Sequence, residues 1–384
     1  MNILFVGTIY DKKHTTVTGQ TVVSDIVLNQ LKQSCNVIVV NTADSGKYQR
    51  GTLLFNITRI LQFIGIFFHI LIVLLTKSVN VVYYQPATSG MGVARDYISL
   101  KIISFFRKSI VLHLLGYIKL YTLKDFGSNA WKRFNYVYGC ADKIIVEGEK
   151  MKSEFKDFEN YLNKVVVIPN GLNVDSKRVN YPKNYNEEKS FKLLYLSNFI
   201  FSKGYYDVIQ ALDILVNQRK LNVECIFAGK YYTTLESVDS DRLLGTEEAF
   251  NAFIKSHGLQ NVVKYYPGLF GNDKHKAFVE ANAFVLPTYY SAEGQPMSIL
   301  EAMSYGCVPI VTAHGHIPMM VNNDNGCLVS PKHPLSIADA VESLMTNTSV
   351  YTNKSAKAII DFNEKFRGES FGNAVKKVIM QVGK

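Results

Sequence analysis

Cysteine is scarce in the sequence, and its placement excludes two classes of protein. The 384 residues include five cysteines, which are scattered along the chain and never form a Cys-x-x-Cys pair. A disulfide-stapled domain or a zinc module needs several cysteines at short, regular spacings. The pattern therefore predicts a protein of a reducing compartment, and because no basic region precedes the apolar residues after Met1, we expect no secretory signal and a cytoplasmic location.

Several nucleotide-binding and catalytic signatures are also missing. After the first apolar segment, Gly7 is followed by TIYDKKHTTVTG and not by Gly-x-Gly-x-x-Gly, which would place a dinucleotide on a helix. The Gly-x-Ser-x-Gly, P-loop and kinase signatures are absent. His14, His314 and His316 lack carboxylate or cysteine partners at ligand spacing. We therefore disfavour an NAD-dependent dehydrogenase and expect no metal site.

Acidic residues are few in the first half of the chain. Residues 1–170 contain 20 basic and 11 acidic residues, whereas residues 171–384 contain 22 and 21. In KIISFFRKSIVLHLLGYIKLYTLKDF the basic residues alternate with aromatic ones, which is typical of a membrane interface. An ordinary buried helix and strand with a solvated rim is the alternative. No nucleic-acid recognition motif accompanies the charge, so we expect an anionic membrane surface as the partner and not nucleic acid.

Long apolar runs are absent except for one, residues 60–76, ILQFIGIFFHILIVLLT. Its 17 residues carry no formal charge and lie at the lower limit of membrane-spanning length. Gln62 and His69 weaken it as a span. We favour a buried or membrane-facing helix of a soluble domain, and a true span is the alternative.

What the sequence does contain is a regular alternation of short apolar runs and helix-length segments. NILFVG, NVIVV and NVVYYQ belong to a first series, and FKLLYLS, NVECIFAG and AFVLPT to a second. This order is typical of parallel sheets covered by helices on both faces. The polar segment NVDSKRVNYPKNYNEEKS between the series is interpreted as a linker. We predict an α/β protein with two Rossmann-like, doubly wound domains.

The densest motif is LPTYYSAEGQPMSILEAMSYGCVPI, residues 286–310. An apolar strand precedes a loop that carries Glu293, and Pro296 stands where a helix can start without needing its missing N–H group. Met297 and Ser298 would then offer free backbone N–H groups, which are suited to a diphosphate. Glu301 would lie about 1.5 turns inside that helix.

The pattern E-G-x-P-x-S-x-x-E-A-M-x-x-G resembles the family 4 glycosyltransferases, which are retaining, nucleotide-sugar-dependent enzymes of the two-domain GT-B fold. The resemblance covers nearly the whole chain. KVVVIPNGLNVD is similar to the end of the family's N-terminal domain, and LLYLSNFIFSKGYYDVIQAL to the start of its donor domain. It implies an acceptor-side domain at residues 1–170, a donor domain at residues 171–365 facing it across a cleft, and a C-terminal helix at about residues 366–384 that packs back on the first domain.

The resemblance also implies roles for single residues. Glu293 matches the carboxylate that contacts the transferred sugar, Glu301 the one that holds the ribose hydroxyls, and Lys203 the lysine that neutralises the leaving diphosphate. His113 matches a histidine near the point of sugar transfer, and Gly19 the glycine loop. The stretch that presents backbone groups to the sugar and diphosphate comprises Gly294, Gln295, Pro296, Met297 and Ser298.

Asn198 departs from the family pattern. Many members carry arginine at this position, so the site loses one fixed cation, and either Lys203 carries more of the charge or another base such as Lys230 substitutes. Asn198 is kept as a donor-binding position. Asp239-Ser240-Asp241 has the D-x-D spacing with which another glycosyltransferase fold holds a metal, but it is interpreted here as a solvated loop.

The sequence thus predicts a metal-independent hexosyltransferase without a cofactor beyond the nucleotide sugar, a UDP- or GDP-sugar. We expect it to glycosylate a glycan or lipid-diphosphate-linked acceptor in cell-surface polysaccharide biosynthesis, peripherally on the inner face of the cell membrane. The alternatives are a sugar-nucleotide epimerase or phosphorylase-like enzyme of the same fold, and a catalytically inactive GT-B subunit that binds nucleotide or a protein partner.

Overall fold

A computed structural model describes residues 1–10, 18–43, 53–87, 91–116, 128–155, 162–174, 181–231 and 246–383. His14, the Asp239-Ser240-Asp241 segment, and Lys119 and Lys124 of the basic-aromatic stretch lie outside the described residues. The chain divides into two compact units. The first is Met1–Asn173 with Gly368–Lys384, and the second is Val174–Arg367.

The first unit is built on a parallel sheet of six strands in the order β2-β1-β3-β4-β5-β6. Its strands are short and strongly apolar, and the central ones are buried on both faces, as parallel strands under two helical layers must be. The strands are β1 (Asn2–Gly7), β2 (Asn36–Asn41), β3 (Val81–Tyr84), β4 (Ser109–His113), β5 (Lys143–Val146) and β6 (Val165–Val167).

The helices of this unit form two groups. They are α1 (Gly19–Lys32), α2 (Leu53–Thr76), α3 (Met91–Phe105), α4 (Ser128–Gly139), α5 (Glu149–Glu154) and, from the end of the chain, α12 (Gly368–Val382). α1 packs on α12, while α3 packs between α2 and α4. Because the chain reverses its direction across the sheet after β2, right-handed crossovers place α1 on one face and α2, α3 and α4 on the other.

The second unit contains a parallel sheet in the order β12-β11-β10-β7-β8-β9. Its strands are β7 (Phe191–Leu196), β8 (Val223–Ala228), β9 (Val263–Tyr266), β10 (Ala283–Leu286), β11 (Val308–Thr312) and β12 (Cys327–Val329). Its helices are α6 (Tyr205–Asp213), α7 (Glu247–Ser256), α8 (Gly271–Glu280), α9 (Met297–Ser304), α10 (Pro334–Thr346) and α11 (Thr348–Lys365). The predicted α/β fold class, with two parallel doubly wound sheets, is confirmed.

An aromatic cluster fixes the loop between β7 and α6. The Phe199 ring stacks on Tyr205 with 4.7 Å between centroids and also contacts Tyr231, Phe250 and Tyr265. Aromatic pairs at these separations add stabilisation beyond their buried area. The loop that carries Lys203 is therefore held by packing at both of its ends.

α2 is the most apolar helix among the described residues. Its segment Asn56–Thr76 has a mean hydropathy of 2.1, and by length and composition it is the one described helix that is able to cross a membrane. Only 28% of that window is buried inside the protein, which is less than a core helix requires.

Candidate functional site

Lys203 is presented by a short turn between β7 and α6. A single 3-10 turn spans Phe201–Lys203, and Gly204 follows with φ of 77°, which favours glycine. A Cβ on Gly204 would lie 2.6 Å from the carbonyl oxygen of Pro287. The glycine therefore lets the Lys203 turn approach the end of β10, and the Tyr289 N–H donates to the Ser202 carbonyl at 2.7 Å.

Glu293 lies in the loop that follows β10 and pairs with Lys203. Lys203 Nζ is 3.2 Å from Glu293 Oε2, and the two side chains are 16% and 8% exposed. Thr288 Oγ1 donates to Glu293 Oε2 at 2.9 Å, and the ammonium group lies 5.3 Å from the centre of the Tyr290 ring. An ammonium and a carboxylate from positions 90 residues apart are thus held together in a largely water-excluded place.

α9 begins immediately after this loop. Pro296 is the N-cap residue, so the helix starts at Met297, one residue later than a proline in the first turn would give. The Pro296 carbonyl accepts the first helical bond from the Ile299 N–H at 3.1 Å. Helix geometry leaves the N–H groups of Met297 and Ser298 without intrahelical acceptors, which makes this end of the helix attractive to an anion. Gln295 in the preceding loop is buried.

Glu301, one turn further along α9, also has a lysine partner. Lys274 of α8 places Nζ 2.6 Å from Glu301 Oε1, and the two side chains are 33% and 19% exposed. The sequence motif gave no indication of Lys274, because it lies 27 positions before Glu301 and meets it only through the packing of the fold.

The segment His314-Gly315-His316, after β11, shapes the Glu293 loop. His314 Nε2 lies 2.7 Å from the carbonyl oxygen of Tyr290, and the His316 N–H donates to the Gly294 carbonyl at 3.3 Å. Gly315 has φ of 58°, and a Cβ there would collide with the Glu293 carbonyl. Sequence reasoning considered these histidines only as metal ligands and missed this role. Within the described ranges, no group of three metal-ligating side chains is placed to hold an ion.

Asn198 is exposed at the end of β7, beside Lys230. The Phe199 N–H donates to the Lys230 carbonyl at 2.8 Å, which pairs the two chain segments at this point. Gly229 allows that close approach, since a Cβ there would collide with the Ser197 carbonyl. Lys230 is exposed as well. The backbone pairing thus brings position 230, a lysine, next to position 198, where the family pattern has arginine.

In the first unit, His113 lies at the end of β4 in a hydrogen-bonded group of buried side chains. Its Nδ1 is 2.5 Å from the Tyr83 hydroxyl, and Gln85 Nε2 donates to the same hydroxyl at 3.2 Å. His113 is fully buried, and its Nε2 has no partner among the described residues. Burial lowers the pKa of His113 to about 3, so the imidazole is neutral near neutral pH.

Gly19 begins α1 near the end of the same strand. Thr18 and Thr21 form a reciprocal capping box that fixes this helix start. Gln20 Nε2 donates to the carbonyl of Leu115, two residues beyond His113. The predicted residues therefore fall into two groups: Gly19 and His113 belong to the first unit, and all the others belong to the second.

A family model described as glycosyl transferases group 1 matches residues 177–365. Residues 177–365 are therefore similar to the group 1 glycosyltransferase domain. That domain covers nearly all of the second unit and includes Lys203, Glu293 and Glu301. No curated protein sequence matches the chain at a significant level.

Solved structures show that the chain, with its two units, has the GT-B fold. HepE of Anabaena, solved with UDP, superimposes with a TM-score of 0.71 at 15% identity, over 99% of this chain and 100% of its own. Sucrose-phosphate synthase from Thermosynechococcus elongatus gives 0.70 at 15% identity, over 99% and 98% of the two chains. The lipopolysaccharide outer core galactosyltransferase WaaB gives 0.64 at 18%, over 99% of each. The predicted GT-B fold is confirmed.

Proposed function

We propose that the protein is a retaining glycosyltransferase of the family 4 type that moves a sugar from a UDP- or GDP-sugar to a glycan or lipid-linked acceptor. The observation that carries the proposal is the Lys203–Glu293 pair, 3.2 Å across, next to the start of α9. The cation and the helix N-terminus suit the diphosphate of such a donor, and the carboxylate suits its hydroxyl groups. HepE, which has the same fold, was solved with UDP and with UDP-glucose, and this supports a nucleotide-sugar donor here.

Each group has a distinct task in the proposed reaction. Lys203 and the N-terminus of α9 stabilise the negative charge that grows on the leaving diphosphate, where a preorganised cation contributes most. Glu293 accepts hydrogen bonds from hydroxyls of the transferred sugar, and Glu301 from those of the ribose. Because protein groups supply the positive charge, we expect turnover to be independent of metal.

Retention follows if the acceptor attacks from the face that the diphosphate leaves. The bond between the anomeric carbon and the diphosphate oxygen breaks, the bond to the acceptor oxygen forms, and the acceptor proton passes to an oxygen of the departing phosphate. The buried, neutral His113 fits a positioning role at the strand ends better than that of a proton donor, because the pKa of His113 is lowered to about 3.

We further propose that Lys230 supplies the phosphate contact that Asn198 cannot make, because the two residues lie side by side at the ends of β7 and β8. Lys230→Gln is then expected to weaken nucleotide binding by about tenfold, the effect of losing one charge-assisted hydrogen bond. Introducing Asn198→Arg into that variant is expected to restore affinity. If Lys230→Gln binds nucleotide as tightly as the wild type, the proposal that Lys230 takes the place of the family's arginine is wrong.

The proposed activity is tested by nucleotide release from a panel of UDP- and GDP-sugars in the presence of EDTA. Slow release from one donor is expected, and its loss in Glu293→Ala and Lys203→Ala. Lys192→Ala serves as the control, because Lys192 forms an exposed pair with Glu280 on the same unit. The anomeric configuration of the product, read by NMR, tests retention. If no donor is turned over or raises the melting temperature, the inactive-subunit alternative is favoured.

The acceptor and the cellular location extend the same proposal. The first unit carries the basic excess of the chain, with 15 basic and 5 acidic residues up to Arg133. A lipid-diphosphate-linked glycan would suit such an acceptor-side unit electrostatically. We therefore place the enzyme in cell-surface polysaccharide assembly, peripherally on the inner face of the cell membrane. To test this, lipid-linked glycan acceptors are added to the donor assay, and they are expected to stimulate turnover.

A further inference from the structure

The outward side of α2 is a continuous apolar stripe. Seven of its apolar side chains follow one another at steps of three or four positions, which places them on one side of the helix. They are Leu54, Ile57, Leu61, Ile64, Phe68, Ile72 and Leu75, each between 43% and 65% exposed. At 1.5 Å per residue the stripe is about 30 Å long.

The opposite side of α2 belongs to the core of the first unit. Phe63, Ile66, Ile70, Val73 and Leu74 are all buried in the cluster beneath the helix. α2 is therefore apolar on two sides, one packed against the sheet and one exposed. A helix that is apolar all round is normally enclosed on all sides, so the exposed side requires an apolar environment of its own.

α3, which packs against α2, extends the apolar area sideways. Its exposed apolar residues Met91, Ile98 and Phe105 recur every seven positions, and Phe105 is 82% exposed. We call the two stripes together the outer apolar surface. It is two helices wide, and both helices lie on the same face of the sheet.

The charged residues around this surface are almost all basic. α3, α4 and the short segments after α2 and α3 carry Lys77, Lys101, Arg107, Lys108, Lys132 and Arg133. The segment after α4 contains one acidic residue, Asp142, which accepts a hydrogen bond from the Ile110 N–H at 2.7 Å. α2, α3 and α4 contain one carboxylate, Asp96, which is buried and paired with Arg95 at 2.6 Å. An apolar area with a cationic rim complements an anionic phospholipid surface. A second copy of the chain would instead bring like charges together.

We propose that the protein binds the surface of an anionic lipid bilayer through the outer apolar surface, with α2 lying in the plane of the interface. A transmembrane orientation of α2 would withdraw its buried side from the core of the first unit, whereas a helix in the interface keeps that side packed and places the outer side among the acyl chains. The inference rests on the proposed function, because it names the surface on which the enzyme would meet a lipid-linked acceptor.

Flotation with lipid vesicles tests the apolar part. The full-length protein is expected to bind vesicles of phosphatidylcholine mixed with phosphatidylglycerol at least tenfold more tightly than phosphatidylcholine alone, and added salt should weaken the binding. The double variant Leu61→Glu/Phe68→Glu is expected to lose binding by at least about tenfold, or about 1.4 kcal/mol. Ile360→Glu is the matched control, because Ile360 is a 47% exposed helical residue of the second unit.

A second pair of variants tests the cationic rim. Lys101→Gln and Lys132→Gln are each expected to weaken binding to the anionic vesicles by about fivefold, with no effect on neutral ones. Lys101 lies over the Tyr97 ring at 4.6 Å and Lys132 is exposed, so neither substitution removes a buried contact. Unchanged melting temperatures are expected for all these variants and verify that they fold.

Three outcomes would overturn the inference. In the first, the wild-type protein does not float with the vesicles. In the second, the Leu61→Glu/Phe68→Glu variant floats as well as the wild type. In the third, sedimentation shows that the wild type is a dimer and that this variant is a monomer, which would assign the surface to a second copy of the chain. Donor turnover distinguishes this proposal from the proposed function. Turnover without vesicle binding would refute only the lipid-binding role of the outer apolar surface. Vesicle binding without turnover of any donor would refute only the proposed glycosyltransferase reaction.

Discussion

Replacing Lys203 by methionine removes the charge of its ammonium group while keeping most of the side-chain volume. The substitution leaves Glu293, which is 8% exposed, with Thr288 Oγ1 at 2.9 Å as its remaining side-chain donor among the described residues. A buried carboxylate that loses its counter-ion destabilises a protein by about 3 kcal/mol. We therefore expect the free energy of unfolding to fall by about that amount.

Catalysis should respond more strongly than stability to the same change. If Lys203 stabilises the leaving diphosphate, kcat/KM is expected to fall about 100- to 1,000-fold, or about 3 to 4 kcal/mol, as for other preorganised groups of this kind. In the double variant Lys203→Met/Glu293→Gln, stability should recover because no unpaired charge is left. Activity should not recover, because both contacts with the donor are missing.

The two responses are measured by chemical denaturation and by steady-state nucleotide release from the preferred donor. Lys192→Met is the control: its pair with Glu280 is 3.3 Å long but more than one third exposed, so the change should cost less than about 1 kcal/mol and leave turnover intact. A loss of less than tenfold in Lys203→Met, or activity that returns in the double variant, would refute the catalytic role and leave Lys203 with a structural one.

Three further substitutions test other features of the chain. Gly204→Ala is expected to lower the free energy of unfolding by about 2 kcal/mol or more, because φ is 77° and the added Cβ would collide with backbone atoms. In the control Gly258→Ala, φ is 66° but the Cβ would meet no neighbouring atom, so the free energy of unfolding should fall by about 1 kcal/mol. Thermal denaturation compares the two variants. Glu301→Gln is expected to raise KM for the donor about tenfold with little change in kcat, through loss of one charge-assisted hydrogen bond, and the Lys192→Ala control should leave both constants unchanged in the same steady-state assay. His113→Gln tests a pH effect. Because the pKa of His113 in the folded chain is lowered from 6.5 to about 3, the unfolded chain binds a proton below pH 6.5 that the folded chain does not bind. The contribution of His113 to the free energy of unfolding therefore falls by about 1.4 kcal/mol for each pH unit below 6.5. Denaturation curves at pH 5 and 7 should show a smaller pH dependence in the variant than in the wild type.

The fold class was predictable because the strands are short and strongly apolar. Segments such as β1 and β10 are buried along nearly their whole length, which is typical of a parallel sheet between two helical layers. The order of the strands was not predictable, since β7 pairs with β10 on one side and with β8 on the other. That order depends on packing between residues far apart in the chain, and the sequence pattern of a single strand does not record it.

The candidate site divides in the same way. Glu293, Pro296 and Glu301 were recognisable because they belong to one local motif that determines its own loop and helix start. Lys274 and Gly315 were missed because each acts through an element distant in sequence, α8 in one case and the segment after β11 in the other. Gly315 carries a signal that could have been used, since a glycine between two histidines after a buried strand indicates a turn with positive φ.

In the proposed donor site, the pairing of charges would compensate for asparagine at position 198. Glu293 and Glu301 each have a lysine partner, so neither carboxylate is left as an uncompensated charge next to an incoming diphosphate. A carboxylate has about four acceptor positions and an ammonium group three donors, so each pair retains sites for hydroxyls or phosphate oxygens while it stays intact. Lys230 forms no ion pair among the described residues and lies exposed beside Asn198. In the proposed site, two lysines are therefore held in place by carboxylates and Lys230 remains for a further anionic group, a distribution that we propose in place of a single fixed arginine.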